Sequence, residues 1–488
     1  LVTSSLLEKF AGKIDLIYID PPFATGADFR FNTQIGESEV EWTKEHSIIE
    51  EKAYRDTWGR GTDSYLHMMF ERLMLMRDIL SDTGSIYVHC DWRMNSYLRN
   101  IMDEIFGNNQ FQREIVWDIR VLSGFKTIAE NWIRGHDTIL FYSKGSTMIF
   151  NKQTKEHRPE YIARFNKIDE NGRRYFDGRG GKRYLDEILK KGKAIGDVWD
   201  DIMSFQQIPT SAERLDYATQ KPEALLERII KASSNEGTLV ADFFCGSGTT
   251  LTVAEKLGRR WIGCDLSRWA IHITRKRLLG IENCKPFEVL NLGKYERKYW
   301  QGVTFGDKKK TDQQLAIYQY LAFILKLYGA EPISGMQHLH GKKGKAVVHV
   351  GAVDAPVTID EINACLDECV AIQQKELHIL GWEWEMGLYD LMTDAAKGRG
   401  IKLFLLNIPR EVMEQQAVDK GDIQFFELAY LEVDIKQEKG RKVIVALKDF
   451  VIPNTELIPE EIRSKIKKWS DYIDYWAIDW DFQNDTFM

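Results

Sequence analysis

Residues 238–258 read TLVADFFCGSGTTLTVAEKLG, and this stretch changes from a strand pattern to a helix pattern. The apolar run from Thr238 to Phe244 is typical of a buried parallel strand, and the periodic run from Thr249 to Leu257 is typical of a helix. Gly246 and Gly248 lie between the two, where glycine permits a sharp turn and close approach of the backbone to a ligand. The stretch therefore predicts a strand–turn–helix unit of a ligand-binding α/β fold.

The neighbouring sequence repeats this alternation. RWIGCD, residues 260–265, predicts the next strand, and residues 267–279 predict the helix after it. Asp265 ends that strand, where an acidic side chain can accept hydrogen bonds from a ribose diol. The third glycine of a dinucleotide fingerprint is absent, which disfavours a nicotinamide cofactor. Together these features favour a different nucleoside cofactor.

A second buried strand stands near the start of the chain, where IDLIYID (14–20) is followed by Pro21-Pro22-Phe23. Prolines forbid both helix and strand pairing, so they fix the turn after the strand. The Asp20 carboxylate and the Pro21 carbonyl then form two fixed acceptors for the two N–H donors of an amino group. Phe23 offers a flat face on which a base can stack. Farther along, the sequence predicts a loop over 28–54, a helix over 62–80 and a strand over 85–91.

Composition limits the class of protein. The 488 residues carry a net charge of −7 and contain no apolar run long enough for a transmembrane helix. The first residues lack the pattern of a signal peptide, and six cysteines in so long a chain do not form a disulfide scaffold. We expect a reduced, cytoplasmic protein of several domains without a structural metal site.

A basic segment stands out in this acidic chain. Residues 151–193 contain thirteen Lys and Arg against seven Asp and Glu, with aromatic residues interleaved. Local basic patches are what contact with phosphate requires, even where the net charge is negative. The segment therefore predicts an insert that contacts nucleic-acid phosphates, and a solvated surface excursion is the alternative. The residues predicted to make these contacts are Arg158, Arg164, Arg173, Arg174, Arg179, Lys182 and Arg183.

The order of these motifs resembles that of a known family. Asp20-Pro21-Pro22-Phe23, then the basic insert, then Thr219-Gln220-Lys221-Pro222 and finally the glycine turn are similar to the β-class amino-methyltransferases of DNA. That class includes the modification subunits of type III restriction systems. The resemblance covers about residues 1–279. It implies a Rossmann-like methyltransferase fold that uses S-adenosylmethionine to methylate an exocyclic amino group of a flipped base in double-stranded DNA.

The resemblance assigns roles residue by residue. Asp20, Pro21 and Pro22 would hold the target amino group, and Phe23, where the family usually has tyrosine, would stack on the base. The residues that it implies for the S-adenosylmethionine site are Thr219, Lys221, Pro222, Asp242, Phe244, Gly246, Gly248, Thr249 and Asp265. The family's upstream Gly-Asp segment is not in this chain, so we expect a chain truncated at its start.

Two alternatives concern the function. In the family, Asp as the first residue of the motif leans to adenine and Ser to cytosine, so Asp20 favours N6-adenine over N4-cytosine. The other alternative is a DNA-binding targeting subunit without activity, and the intact pair of motifs speaks against it. A restriction subunit is the expected protein partner, a homodimer is a further expectation, and no membrane partner is expected.

The domain organisation follows from the motifs. We predict a catalytic half at 1–120, a target-recognition insert at 121–217 and a cofactor-binding half at 218–282. A charged linker at 283–313 would then lead to a second α/β domain at 314–488, whose predicted strands are KAVVHV (345–350), KLFLLN (402–407), FFELAYLEV (425–433) and KVIVAL (442–447). A fused nuclease would need an acidic residue on one strand and Glu/Gln-x-Lys on the next, and the sequence there reads Val347-Val348-His349-Val350-Gly351 instead, so we do not expect a nuclease. Its tryptophans Trp382, Trp384 and Trp476 are expected to pack in a core or against a partner.

Overall fold

The computed structural model describes residues 2–22, 31–34, 41–44, 62–119, 130, 132–215, 217, 219–290, 293–305, 310–385, 388–421, 423–438, 440, 442–452, 455, 458 and 460–479. The chain forms two compact units, one of residues 1–31 and 50–286 and the other of residues 32–49 and 287–488. Among the described residues, no helix has the length and apolar character needed to span a bilayer. The finer domain boundaries inferred from the sequence stay predictions.

The described residues up to 279 form both strands and helices. In chain order they are β1 (Ile14–Ile19), β2 (Phe31–Gln34), β3 (Glu41–Lys44), β4 (Leu80–Cys90), β5 (Phe111–Asp118), β6 (His136–Ser143), β7 (Thr154–Lys155), β8 (Lys167–Ile168), β9 (Arg174–Gly178), β10 (Gly181–Tyr184), β11 (Lys193–Ala194), β12 (Val198–Trp199), β13 (Leu239–Asp242) and β14 (Arg260–Gly263). The helices between them are α1 (Val2–Phe10), α2 (Thr62–Ile79), α3 (Asn95–Phe106), α4 (Pro159–Ile162), α5 (Leu185–Lys191), α6 (Glu223–Ser233), α7 (Thr249–Lys256) and α8 (Arg268–Leu279).

Seven of these strands form one sheet in the order β12-β5-β6-β4-β1-β13-β14. β1 is parallel to both β4 and β13, and β13 is parallel to β14. β6 is antiparallel to both β4 and β5. The carboxyl ends of β1, β4, β13 and β14 therefore meet at one edge, which is where open α/β sheets bind ligands. The α/β, Rossmann-like class predicted from the sequence is confirmed.

Helices cover both faces of this sheet. Ile17 and Ile19 of β1 join an apolar cluster with α2 and α3, and Leu16 and Tyr18 join a second cluster with α6 and α7. Successive side chains of a strand point to opposite faces, so a strand covered on both sides must be apolar throughout. This is why residues 16–19, which follow Asp15 in β1, show a continuous apolar run rather than an alternation.

The basic insert has a small core of its own. β8, β9 and β10 form a three-stranded sheet, and the buried side chains of Phe165 and Phe176 lie against it with ring centroids 4.8 Å apart, edge to face. Tyr161 completes the cluster. The interleaved aromatic residues of the insert thus serve first to fold it, and its basic residues lie around this core.

The second unit is also α/β. Its elements are α9 (Gly293–Phe305), α10 (Lys310–Tyr328), β15 (Glu331–Pro332), β16 (Gly341–Lys343), β17 (Ala346–Val350), α11 (Ile359–Ala371), β18 (Glu376–Gly381), α12 (Leu388–Gly398), β19 (Lys402–Asn407), α13 (Gln415–Lys420), β20 (Phe426–Glu427), β21 (Tyr430–Gln437), β22 (Val443–Val451) and α14 (Glu460–Arg463). β15 to β20 form a six-stranded sheet in chain order, with β17, β18 and β19 parallel. β21 and β22 form a separate antiparallel ribbon.

Several boundaries differ from the expectations. β2 and β3 pair with each other inside the segment 28–54 that was expected to be a loop, because strands of four residues are too short to show a period. Residues 283–313, expected as a linker, include α9 and the start of α10. Trp300 of α9 packs against the core of the second unit, so that core begins before residue 314.

The tryptophans of the second unit differ in their exposure to solvent. Trp382 and Trp384 pack against its two apolar clusters, as expected, and their indole N–H groups donate to Tyr320 and Asn407 at 2.8 Å. Trp476, in contrast, is 55% exposed. An indole needs a partner for its N–H when it is buried, and both packed tryptophans have one.

Candidate functional site

The two motifs that lie far apart in the sequence meet at the carboxyl edge of the first sheet. β1 and β13 are parallel neighbours in a register that pairs Leu16 with Val240 and Ile17 with Ala241. Continued by three positions, this register sets Asp20 opposite Phe244. The Pro-fixed carboxylate and the start of the glycine turn are therefore adjacent strand ends.

Asp20 lies in a largely buried position at this edge. Its side chain is 15% exposed, and its Oδ2 accepts a hydrogen bond from the ammonium of Lys221, which is 12% exposed. Oδ1 is buried, and among the described residues it has no hydrogen-bond partner. Most buried polar atoms are hydrogen-bonded, so an unpaired carboxylate oxygen marks a place where a donor from a ligand can bind. Pro21 is buried and Pro22 half-buried, and Phe23 lies outside the described residues.

The glycine turn requires glycine for reasons within the protein. Gly246 and Gly248 have φ angles of +49° and +74°, which other residues rarely adopt. A Cβ on Gly248 would lie 2.6 Å from the Thr274 side chain, and one on Gly246 would lie 3.3 Å from the Tyr217 ring. The hydroxyl of Thr274 also donates to the Gly246 carbonyl at 3.0 Å. The turn is therefore shaped by helix α8 packed behind it.

Two carboxylates stabilise the turn from the ends of their strands. Asp242, after which β13 ends, accepts from the Phe244 amide at 3.0 Å and from the Thr250 hydroxyl at 2.5 Å. Asp265 accepts from the amides of Gly246 and Ser267, both at 2.9 Å. Burial, and to a smaller degree the negative charges of Asp20 and Asp265, raises the pKa of Asp242 to about 7. The edge thus concentrates three carboxyl groups.

The Thr219–Pro222 segment joins the two motifs. The Lys221 ammonium reaches Asp20 and also donates to the Thr219 carbonyl at 3.3 Å. The Lys221 carbonyl accepts from the Thr249 hydroxyl at 3.1 Å, at the first residue of α7. Pro222 then stands as the N-cap of α6. One residue, Lys221, therefore contacts the catalytic candidate by its side chain and the glycine turn by its backbone.

Arg277 is a residue that the sequence did not single out. Its guanidinium donates to the Thr249 hydroxyl at 2.9 Å, to the Ser247 carbonyl at 3.3 Å and to Glu223 at 2.9 Å. It thus holds the glycine turn to the start of α6. No local signal marks it, because it is one of several basic residues in helix α8 and only packing selects it.

A buried chain of hydrogen bonds beside Asp20 was also missed. The register of β1 and β4 pairs Ile19 with Val88, which sets Asp20 opposite His89. Nδ1 of His89 lies 2.9 Å from the Tyr18 hydroxyl, and Nε2 lies 3.3 Å from Asp137. Burial and the positive charge of Lys221 lower the pKa of His89 to about 3, so this imidazole is neutral. It supports the edge as an uncharged link between strands β1, β4 and β6.

Three of the basic residues predicted to contact DNA are engaged within the insert. The Arg173 guanidinium forms ion pairs with Asp186 and Glu187 at 2.9 and 2.7 Å. Arg174 donates to the Phe165 carbonyl at 3.0 Å. Arg164 lies over the Phe176 ring, 4.8 Å from its centroid. These three arginines support the fold of the insert, whatever else they contact.

The other four predicted residues are exposed at the surface of the insert. Arg158, Arg179, Lys182 and Arg183 have no acidic partner within the described part of the chain, and the Lys182 ammonium lies over the Tyr175 ring, 4.7 Å from its centroid. Arg179 lies in the two-residue turn of the β9–β10 hairpin, and Lys182 and Arg183 follow in β10. A two-stranded ribbon is one of the elements that the major groove of DNA admits.

Comparison with known proteins identifies relatives of this chain. The sequence pattern of a family described as DNA methylase matches residues 14–276. The type II methyltransferase M.EcaI of Enterobacter cloacae is 33% identical over 313 residues, covering 54% of this chain and 64% of that protein. The StyLTI Mod subunit of Salmonella typhimurium, a type III restriction-modification enzyme, is 26% identical, covering 51% of this chain and 47% of that subunit.

Solved structures resemble it as well. The crystal structure of an M1.HpyAVI–SAM complex aligns with a TM-score of 0.35 and 18% sequence identity, covering 57% of this chain and 95% of the other. The present chain thus spans about half to two thirds of the length of the two curated relatives above.

Proposed function

This chain belongs to the N6/N4 DNA methylase family, and on that premise we propose that it transfers a methyl group from S-adenosylmethionine to the N6 amino group of an adenine in double-stranded DNA. The observation that carries the proposal is the buried Oδ1 of Asp20, which has no partner among the described residues and lies at a strand end next to the glycine turn. A base amino group supplies the N–H donor that this oxygen lacks.

The residues around the glycine turn fit S-adenosylmethionine. When bound, this cofactor supplies an activated methyl group on a sulfonium, and it also carries an ammonium. Asp20, Asp242 and Asp265 place three carboxyl groups around the turn, and their mutual repulsion contributes to the raised pKa of Asp242. Although the methionine part also carries a carboxylate, its net charge is positive, and a positively charged ligand relieves that repulsion. Asp265 would hold the ribose, and Gly246 and Gly248 would line the methionine part.

The chain's own contribution to the chemistry is orientation and charge. The lone pair of an exocyclic amino nitrogen is delocalised into the ring, which makes the nitrogen a weak nucleophile. Acceptors on both N–H groups, namely the Asp20 carboxylate and the Pro21 carbonyl, favour a pyramidal nitrogen and stabilise the positive charge that develops on it. Holding that nitrogen in line with the donor group supplies the further advantage of orientation. Phe23 is proposed to stack on the base.

The target base must leave the duplex before it can reach Asp20. Extrusion costs a few kcal/mol, and contacts of the basic insert with phosphates would offset it. Of the seven basic residues, the exposed group on the β9–β10 hairpin fits this role. As the StyLTI relative is a subunit of a restriction-modification enzyme, we include a restriction subunit as the proposed protein partner.

One experiment tests the function and the target base together. The protein would be incubated with DNA from a host that lacks methylation and with isotopically labelled S-adenosylmethionine, and the DNA would be digested to nucleosides. We expect label in N6-methyladenine. Label in N4-methylcytosine would instead assign cytosine as the target, and binding of S-adenosylmethionine or DNA without any methylation would indicate a targeting subunit.

A matched pair of variants ties the activity to the site. Asp20→Ala should lower the methylation rate by at least about 100-fold, a typical loss when one stabilising contact at a reacting centre is removed. Asp15→Ala is the control, because Asp15 lies at the other end of β1 and its oxygens accept from Leu239 and Ser81. That variant should lose stability without a comparable loss of rate per folded molecule.

A further inference from the structure

The sheet edge that holds Asp20 also carries two exposed tryptophans. Trp92 follows β4 and is 61% exposed, and Trp132 precedes β6 and is 98% exposed. β4 and β6 are antiparallel with Cys90 opposite Thr138, so the end of β4 and the start of β6 meet at this edge. β1, which ends just before Asp20, is the next strand beyond β4. The backbone of both tryptophans therefore lies near the same edge of the sheet as the candidate catalytic carboxylate.

The two tryptophans differ in what they contact. The Arg93 guanidinium lies 4.9 Å from the centre of the Trp92 ring and covers part of it. The exposure of Trp132 leaves both faces of its ring open to solvent. A tryptophan has a large apolar surface, and leaving all of it in water forgoes the stabilisation that burial gives. An indole in such a position gains most by inserting into an apolar gap in a partner.

The segment that carries Trp132 is anchored to the sheet. The Gly135 carbonyl accepts from the Ile119 amide at 2.8 Å, and Arg134 donates to the His136 carbonyl at 3.2 Å. Arg134 also forms an ion pair with Asp137, the second residue of β6. Trp132 is only four positions before His136, so its backbone lies at most about 14 Å from the first residue of the strand. The anchored stem limits where the indole can move relative to Asp20.

We propose that Trp132 enters the DNA duplex and stacks in the gap that the extruded target base leaves. This inference rests on the proposed function, since only an enzyme that takes a base out of the helix creates such a gap. A large apolar side chain can act as a wedge between base steps, and stacking of a base on an aromatic ring contributes about 1–3 kcal/mol. Trp132 would thereby offset part of the cost of unstacking the target.

The proposal makes a prediction that depends on the substrate. Trp132→Ala should lower kcat/KM on a duplex with a paired target by about 5- to 100-fold. It should leave kcat/KM nearly unchanged on the same duplex with the target base mispaired and on a single strand, because these targets cost little to extrude. Trp132→Phe keeps a flat apolar ring and should recover most of the activity on the paired duplex.

Two controls make the test specific. Trp476→Ala removes another exposed tryptophan, in the second unit, and should leave kcat/KM unchanged on every one of these substrates. With 2-aminopurine at the target position, the rise in fluorescence on binding should be smaller for Trp132→Ala than for the parent protein.

Different failures have different meanings. An equal loss of activity on paired and mispaired targets, or no loss on the paired duplex, would overturn the role of Trp132. Absence of methylation by the parent protein on every substrate would instead remove the proposed function itself.

Discussion

The ammonium of Lys221 donates a hydrogen bond to the carboxylate of Asp20, across 201 positions of sequence. The contact joins the segment after the basic insert to the end of the first strand, and both side chains are largely buried. Lys221 therefore holds the carboxylate on one oxygen, while the other, Oδ1, is buried and has no hydrogen-bond partner among the described residues. Its ammonium also supplies the only positive charge that the hydrogen bonds of the described residues bring to Asp20.

We expect Lys221→Met to destabilise the protein because it leaves a buried carboxylate without its cation. Removing one partner of a buried ion pair costs about 3–5 kcal/mol of unfolding free energy. Because both side chains are partly exposed here, we expect a loss near the lower value. Unfolding in guanidinium chloride would measure the loss. The double variant Asp20→Asn, Lys221→Met should lose less stability than Lys221→Met alone, because no unpaired charge then remains at this position.

Lys256→Met provides the matched control for that measurement. Lys256 pairs with Glu223 at 2.7 Å, but its side chain is exposed, so we expect a change of no more than about 1 kcal/mol. Equal effects of the two lysine variants would show that the Asp20 pair is as weak as a surface pair.

Gly248→Ala should disrupt the glycine turn. The φ angle of +74° and the Thr274 side chain 2.6 Å from the new Cβ together predict a loss of about 2–4 kcal/mol. We expect calorimetry to show a matching loss of S-adenosylmethionine affinity. Gly237→Ala separates the two causes, because Gly237 has a φ of +76° and no atom within 4 Å of the added Cβ. Similar losses for both variants would exclude the clash with Thr274.

Asp242 predicts a dependence of stability on pH. Burial raises its pKa from 3.8 to about 7, so between these values the folded state keeps a proton that the unfolded state releases. The contribution of this group is fully present below pH 4 and is lost as the pH rises through about 7, by up to about 4 kcal/mol. Asp242→Asn does not titrate and should gain stability relative to the parent between pH 5 and pH 8.

Unfolding free energies of Asp242→Asn and of the parent protein, measured at pH 5 and pH 8, would show whether stability falls with rising pH as expected. If the unfolding free energies of Asp242→Asn and the parent protein changed in parallel with pH, the raised pKa of Asp242 would be contradicted.

The basic insert predicts a division among its arginines. Arg179→Ala and Arg183→Ala should each weaken DNA binding and reduce the slope of log K against log salt by about 1, because each removes one phosphate contact. Arg173→Ala should leave that slope unchanged, since Asp186 and Glu187 already neutralise its charge. Fluorescence anisotropy over a range of salt concentrations would measure both. A change of slope with Arg173→Ala as large as with Arg179→Ala would refute the division.

Local sequence was enough for the elements around the two motifs of the first unit, but not for the short strands of its basic insert. The helix expected at 62–80 is Thr62–Ile79, and the strand–turn–helix around Gly246 and Gly248 follows the expected pattern. β18 was not among the strands predicted for the second unit, and its pairing with β17 and β19 is what defines it. FFELAYLEV, residues 425–433, reads as one strand but divides between two sheets, because different partners pair with its two halves.

The sequence by itself determined the class of fold, the DNA methylase family and the two motifs, because strand and helix periods, glycine turns and prolines act on neighbouring residues. Only the tertiary structure decided what these residues contact. Lys221 on Asp20, Arg277 on the glycine turn, His89 between Tyr18 and Asp137, and Trp132 near the edge that carries Asp20 all depend on segments that are separate in the chain being neighbours in the fold. A side chain's partner is set by sheet order and register, and no local pattern encodes either.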